Sequence, residues 1–492
     1  MEWTTLLKPE KERKVSSVTK TSNDARSPFK VDFDTVCNCT GIRRLQDKAQ
    51  VFPLEKGDYA RTRLTHSIEV MSIAESLGVH AIKVIQEKSN PSPELMEQIK
   101  EIPVILRTAA LLHDMGNPPF GHLGEGIIGE WFQTKLETLI VEPKSKKVIF
   151  SDNTSLGVDK LVDKLSQEQK CDLRNFEGNA QLLRLITKLN YVVDSNGMNL
   201  TYPVLATIIK YPCSSLECEM ARKSSTVNLL NKKPGYYTSE KKLYERIDST
   251  LGLNKKRFPL TFLLEAADDI AYLTADIEDA HKKGILSFNT IANYFISYNK
   301  ENEDPFVQSI INEIGKYREQ GIKQGITDID NYIMQRLRIF IKGNMISKAM
   351  DSFKENYNSI MNGSYSHELL NDSEAKAVVQ IIKNNIEKKH IYYCPEIVKS
   401  KIKSYKILSY ILDALVPCVF NAENEGQKDD KDSLIYNLLS DNYRFICNNA
   451  NQGLTLNDGD YIYNKLLLVT DFVSGMTDSY AKDLYELLVS KN

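Results

Sequence analysis

Seven histidines occur in the 492 residues, at positions 66, 80, 113, 122, 281, 367 and 390. Three of them fall in polar islands inside otherwise apolar helical segments. His66 follows Thr62-Arg63-Leu64-Thr65 and opens a helix on which Val70, Ile73 and Leu77 share its face. Burying an imidazole without a partner costs about 1–3 kcal/mol, so His66 is either a core histidine bonded to a carbonyl or a ligand. The second island is Leu111-Leu112-His113-Asp114-Met115-Gly116-Asn117-Pro118-Pro119-Phe120-Gly121-His122. Adjacent His and Asp cannot point the same way within a helix, but at its last turn both can converge on an ion at the helix end. The Gly and Pro residues stop the helix and form a tight loop that returns His122 toward the same pocket. Glu125 follows in the first turn of the next helix, as a cap or as a partner of His122.

The third island is Glu265-Ala266-Ala267-Asp268-Asp269-Ile270-Ala271-Tyr272-Leu273-Thr274-Ala275-Asp276. Asp268, Tyr272 and Asp276, at i, i+4 and i+8, share one helical face. Buried carboxylates are rare unless paired or bound to metal, and Asp269 is the one expected to face solvent. Two neutral imidazoles and two carboxylates suit a divalent ion such as Mn, Fe or Mg, with positions left for water and phosphate oxygens.

These islands need helices to position them, and apolar periodicity supplies helices nearly throughout. Leu106, Ala109 and Ala110 line one. Ile333, Leu337, Phe340 and Ile341 mark another running toward Asn362-Gly363. Val378, Ile382 and Ile386 give a third, capped by Asp372 or Ser373. Two small hairpins are expected, one around Val148-Ile149-Phe150 and one at 191–202 turning on Asn196-Gly197. Asn421 to Ser433 and Lys223 to Glu240 read as exposed loops. The expected fold is all-α with these small β excursions. A mobile arm or surface-wrapped lead-in spans 1–30, a catalytic core 31–285 and a helical C-terminal region 286–492, the last two packed as one unit.

Composition narrows the partners. Lys plus Arg number 63 against 65 Asp plus Glu, for a net charge of −2. That balance gives no general pull toward nucleic acid, so phosphate recognition requires a local cluster. No apolar run reaches the ~18 residues of a membrane span, and the first thirty residues show no export-type apolar stretch. The eight cysteines form no CxxC pair, which points to incidental thiols in a reducing cytoplasm.

His66, His113-Asp114 and Asp268 resemble the H…HD…D pattern of the HD superfamily of metal-dependent phosphohydrolases. More narrowly, the chain resembles the deoxyguanosine triphosphate triphosphohydrolases (dGTPases). The resemblance is carried by RRLQDKAQVF (43–52), TRLTHSIEV (62–70), LLHDMGNPPFGHLGE (111–125), FEGNAQ (176–181), NLTYPVLATIIKYP (199–212), EAADDIAYLTADIEDA (265–280) and SGMTDSYA (474–481). It implies an HD-domain core and the reaction dNTP plus water to deoxynucleoside plus inorganic triphosphate, with dGTP favoured. It also implies metal ligation by His66, His113, Asp114 and Asp268, and a catalytic pair, His122 and Glu125, beside the α-phosphate. Tyr272 and Asp276 match groups at the sugar and its 3′-hydroxyl, and Gln46 matches a sugar-contacting glutamine. Arg63, Asn179, Lys210 and Tyr211 match triphosphate contacts. No position departs from the pattern at the metal or acid–base residues. A homo-oligomer, commonly a hexamer, is implied as well, and some relatives bind single-stranded DNA.

Elementary chemistry agrees with those roles. Cleavage between the α-phosphorus and the 5′-oxygen requires a positioned water, neutralised phosphate charge and a proton for the departing alkoxide. Alternatives from the same superfamily are a phosphodiesterase or an alarmone hydrolase. Two-metal members need further ligands, and histidines 80, 281, 367 and 390 stand without acidic neighbourhoods. A single-stranded nucleic-acid-binding protein is the alternative of another class. It would use Lys232-Lys233-Pro234-Gly235-Tyr236-Tyr237 and the lysines from 399 to 406, which otherwise read as a solvated loop and helix face.

Overall fold

The computed structural model describes residues 1–13, 24–51, 61–151, 159–190, 197–422 and 430–490. Helices dominate, and among the described residues the one sheet is a hairpin. α1 (Arg63–Ser89) begins at a Thr62 cap whose hydroxyl accepts from Thr65 N, and it ends at Asn90 in a left-handed conformation. Its buried stripe carries His66, Val70, Ile73 and Leu77. α2 (Ile102–Leu112) is apolar on nearly every side and is buried accordingly. α3 (His122–Lys135) follows the Gly/Pro loop, and α4 (Gly178–Arg184) follows the FEGN segment. α5 (Pro259–Lys282) packs against both α1 and α2.

The hairpin expected at Val148–Phe150 is present. β1 (Leu139–Val141) pairs antiparallel with β2 (Val148–Phe150), Ile140 opposite Ile149. The hairpin expected at 191–202 lies outside the described residues up to 196; beyond them, Thr201 bridges Lys11 and Tyr202 opens a helix. The helix through Ile333 ends at Glu355, and a separate turn, Tyr357–Asn362, reaches the left-handed Gly363. The Val378–Ile386 stripe begins as α-helix but continues as a π-helix over Ile381–Ile391, with Ser373 Oγ accepting from Ala375 N. That π-helix lies against α5. α6 (Pro395–Asn421) packs on α3 and on the hairpin, and α7 (Gly459–Gly475) and α8 (Asp478–Val489) close the fold.

Residues 1–13 are docked, as the lead-in rather than the mobile arm of the two readings for 1–30, of which 14–23 lie outside the described residues. Trp3, Leu6 and Leu7 are buried, and Trp3 Nε1 donates to Tyr357 Oη at 2.8 Å. An amphipathic start hidden in a charged sequence is the reason: three large apolar side chains within five residues bury enough area to hold it. One continuous apolar core runs from Trp3 to Leu484, across the boundary drawn at 285.

Candidate active site

Three helices bring four donors to one point. His66 projects from α1, His113 and Asp114 stand at the end of α2, and Asp268 lies midway along α5. His66 Nε2 is 3.1 Å from Asp268 Oδ1, and His113 Nε2 is 3.6 Å from the same oxygen and 3.7 Å from Asp114 Oδ1. The ligand atoms of His66, His113 and Asp114 all lie within 4.8 Å of one another. Ligands about 2.1 Å from one octahedral ion stand about 3.0 Å apart when adjacent and about 4.2 Å apart when opposite. The spacings of 3.1, 3.6 and 3.7 Å fall in that range.

The hydrogen bonds leave these donors facing inward. His113 Nδ1 donates to the Ala110 carbonyl at 2.6 Å, which fixes the tautomer and leaves the Nε2 lone pair on the cluster. That Nε2 is buried and has no hydrogen-bond partner. Asp114 Oδ1 accepts from Asn117 Nδ2, and its Oδ2 lies 2.8 Å from the Arg63 guanidinium. Burial pushes the Asp114 carboxyl up, but Arg63 and the two imidazoles outweigh it and hold it at about 2. Burial opposes charge on His113, yet Asp114 and Asp268 raise it to about 9. The Asp114 and Asp268 carboxylates, both held below the ordinary range, draw positive charge onto His113 and make a site that fits a divalent cation, which would bind in place of that proton. Among the described residues this is the one group of three or more such side chains able to hold an ion.

The loop after α2 positions the acid–base pair. Gly121 has φ of 60°, and a Cβ there would lie 2.2 Å from Arg63 Nη2, so glycine both permits the turn and lets the guanidinium approach. A Cβ on Gly116 would meet Gly178 O at 2.1 Å, which is how the loop nests against the start of α4. Phe120 also sits at positive φ, with its N–H tied to Asp478 Oδ1 at 2.9 Å. The segment 474–478 therefore buttresses the loop from behind: Asp478 also accepts from Ala49 N, and buried Lys48 donates to the carbonyls of Asn117 and Ser474 at 2.6 and 2.8 Å. His122 then opens α3 with its ring 76% exposed on the cavity, and Nδ1 donates to Glu125 Oε2 at 2.8 Å. Glu125 Oε1 accepts from Gly178 N at 3.0 Å. Burial pushes the Glu125 carboxyl up, but His122 and Lys233 pull it to about 2, and Glu125 in turn raises His122.

One cavity of about 630 Å³ receives this chemistry. Asp114, His122 and Asp268 open onto it with the cations Arg63 and Lys210, and Tyr272 and Asp276 follow at one-turn intervals along α5. Lys210 is held charged by Glu265 at 3.1 Å, against the opposing effect of burial. Asp276 is buried, neither carboxylate oxygen has a partner, and burial drives its carboxyl well above the ordinary range.

Some expected residues fall elsewhere. Gln46 is exposed on the 3₁₀ turn Leu45–Asp47, because that turn points Leu45 inward; Gln50, four residues on, lines the cavity. Asn179 does not line it and instead donates to Glu177 Oε1 at 2.7 Å. Tyr211 is buried beside Cys213 and Cys218, away from the cavity lining. Asp269 faces the cavity rather than open solvent, paired with Lys383 at 3.2 Å, and burial lifts it to about 6.

Other site residues went unrecognised in the sequence. Lys233, in the stretch expected to be a solvated loop, reaches inward to Glu177 Oε2 at 2.8 Å and Glu125 Oε2 at 3.7 Å. The buried Tyr237 next to it bonds the backbone of Glu177. Lys383, Tyr392 and Lys401, all beyond residue 285, form part of the cavity wall. Periodicity could not have found them, because Lys383 and Tyr392 belong to the π-helix and its end, whose turn departs from the 3.6-residue period, and Lys401 lies on a helix with no polar island.

Comparisons with known proteins agree with this geometry. A family model described as HD domain matches residues 63–174, which hold His66, His113-Asp114, His122 and Glu125. The chain is 40% identical over 492 residues, covering 99% of both sequences, to a deoxyguanosinetriphosphate triphosphohydrolase-like protein of Listeria monocytogenes. It is 30% identical over 482 residues, covering 94% of each, to a deoxyguanosinetriphosphate triphosphohydrolase of Yersinia enterocolitica. With similarity running from end to end and the metal-type cluster in place, the chain belongs to the deoxyguanosinetriphosphate triphosphohydrolase family of the HD superfamily.

Proposed function

We propose that the protein hydrolyses deoxynucleoside triphosphates, dGTP foremost, to deoxynucleoside and inorganic triphosphate. The observation that carries this reading is one cavity onto which Asp114 and Asp268 of the donor cluster, His122 of the His122–Glu125 pair, and the Tyr272–Asp276 face all open. Its relatives' names give the same reaction class. His66, His113, Asp114 and Asp268 would hold one divalent ion, of which Mn, Mg and Fe all suit two imidazoles and two carboxylates. When bound, that ion supplies charge neutralisation at the α-phosphate and orients water for attack.

The chain's own groups do the rest. Arg63 and Lys210 face the tetra-anionic triphosphate as fixed cations. His122, oriented through Nδ1 by Glu125, presents Nε2 to the reacting centre, where it passes a proton between the attacking water and the departing 5′-oxygen. Asp276 accepts the sugar 3′-hydroxyl, and the Tyr272 ring packs against the sugar. Gln50, which lines the cavity with its Oε1 lacking a partner, is better placed for the sugar than Gln46.

The test is product analysis of the four dNTPs, each with Mn and with Mg, in ¹⁸O-labelled water. Intact triphosphate carrying the label, with unlabelled deoxynucleoside, supports the reading. Pyrophosphate or a nucleoside monophosphate refutes it and favours another HD-type phosphohydrolase.

A further inference from the structure

Behind the cavity wall, Glu387 on the π-helix is fully buried and accepts hydrogen bonds from two tyrosines of that wall. Its Oε2 accepts from the hydroxyl of Tyr272 on α5 and from that of Tyr392 at 3.3 Å, and the two hydroxyls lie 3.0 Å apart. Tyr272 and Tyr392 both line the cavity, whereas Glu387 does not. Lys383, one turn before Glu387, is committed to Asp269. Asp276, one turn beyond Tyr272, faces the same cavity with both carboxylate oxygens free. The two phenol rings are thus presented as a wall beside a vacant acceptor, with their polar ends drawn back into the protein.

Resting on the reaction proposed above, we infer that Glu387 is a positioning residue that sets the preference for 2′-deoxyribose over ribose. With both hydroxyls held by Glu387, the sugar meets ring carbons at this wall. A ribose 2′-hydroxyl placed there loses its hydrogen bonds to water and gains none. Rejection by an apolar wall is worth roughly 10–10²-fold, the scale on which such surfaces discriminate one hydroxyl. Removing Glu387 takes away the anchor that holds both phenols back, so the rings can shift until a hydroxyl of the Tyr272–Tyr392 pair meets the 2′-hydroxyl, and discrimination falls. The π-helix makes this arrangement geometrically available, because its wider turn brings Glu387 and Tyr392 to one hydroxyl of α5.

The experiment compares kcat/KM for dGTP and GTP, with triphosphate release as the readout, in the wild type, Glu387→Gln, Glu387→Ala and Tyr392→Phe. Glu387→Gln keeps an acceptor for Tyr272 and should stay within about threefold of the wild-type dGTP/GTP ratio. Glu387→Ala should lower that ratio about tenfold or more, through better use of GTP, while kcat for dGTP changes far less. Tyr392→Phe, which removes one hydroxyl and keeps the ring, should not lower the ratio, and it tests the wall without disturbing Glu387. An unchanged ratio in a folded Glu387→Ala, or an equal fall in the Gln variant, overturns the inference while leaving the reaction standing. Absence of triphosphate from any dNTP with the wild type removes instead the reaction on which the inference rests.

Discussion

Replacing Glu125 by glutamine isolates the acid–base pair without changing its shape. Glu125 serves two donors at once, Oε1 accepting from Gly178 N at 3.0 Å and Oε2 from His122 Nδ1 at 2.8 Å. A glutamine has one acceptor oxygen, so in Glu125→Gln either the Gly178 N–H or the imidazole faces an amide NH₂. Gly178 is buried, and an unmet buried N–H costs about 1–3 kcal/mol. The amide oxygen therefore turns to Gly178, and the imidazole loses the contact that fixes its tautomer. A penalty of about 1–3 kcal/mol on the productive tautomer lowers kcat roughly 5–150-fold, within the range of general acid–base effects. Glu125 is also the leading cause of the raised His122 pKa, with Lys233 acting in the opposite direction. The limb of the pH–rate profile that belongs to His122 should therefore move to lower pH in Glu125→Gln and to higher pH in Lys233→Met. Steady-state kinetics across pH 5.5–9.5, with Mn binding by calorimetry as the control, provides the assay. A Glu125→Gln enzyme within twofold of wild type throughout that range, with an unmoved limb, refutes the reasoning.

The remaining predictions concern the metal, the loop and its buttress. Asp268→Asn should lose stoichiometric Mn binding and with it the thermal stabilisation that Mn gives the wild type, about 2.7 kcal/mol at a hundredfold excess over Kd, as read by melting with and without chelator. Gly121→Ala forces a Cβ to 2.2 Å from Arg63 Nη2 at a φ of 60°, so kcat/KM should fall about 10–100-fold while circular dichroism stays native. His122→Ala should cost about 10²–10⁴-fold in kcat with Mn affinity retained. Burial lowers Lys48 from 10.5 to about 7. Between those values the unfolded chain binds the proton and the folded one does not, so Lys48 contributes stability that rises with pH from about 7 toward 10.5. In urea unfolding, the midpoint difference between wild type and Lys48→Met should therefore widen from pH 7 to pH 9.

That His66, His113-Asp114 and Asp268 come together was legible because buried polarity is costly. His66 on a leucine–valine stripe, His113-Asp114 at the end of an apolar helix and Asp268 inside another could each be tolerated only with a partner, and each had the others. The same logic misjudged Asp269, whose partner Lys383 lies 114 residues away on a helix with no polar island of its own. Gln46 is read from a motif, which records identity and spacing, whereas the 3₁₀ turn decides which residue faces inward and leaves Gln46 exposed. Lys233 was hidden by composition. Lys-Lys-Pro-Gly reads as solvated turn, and nothing in it reveals that Glu177 and Glu125 wait 2.8 and 3.7 Å away. The docked N-terminus was likewise hidden, because charge averaged over thirty residues obscured Trp3, Leu6 and Leu7.

α5 supplies the order of events in the cavity. Asp268, Tyr272 and Asp276 are separated by four residues each, so successive groups stand about 6 Å apart along one rigid axis. Asp268, Tyr272 and Asp276 therefore cannot move independently, and on the proposed reading a substrate that satisfies Asp276 is carried to a fixed distance from the donor cluster. The opposite wall is different in kind. Lys383, Tyr392 and Lys401 come from the C-terminal half, and the first two are joined to α5 through Asp269, Tyr272 and the Glu387 carboxylate. The proposed function then divides chemistry and selection between separate parts of the chain that meet at a single helix. Substitutions on the π-helix should alter which triphosphate is used, and substitutions on α1, α2 and α3 should alter how fast it is cleaved.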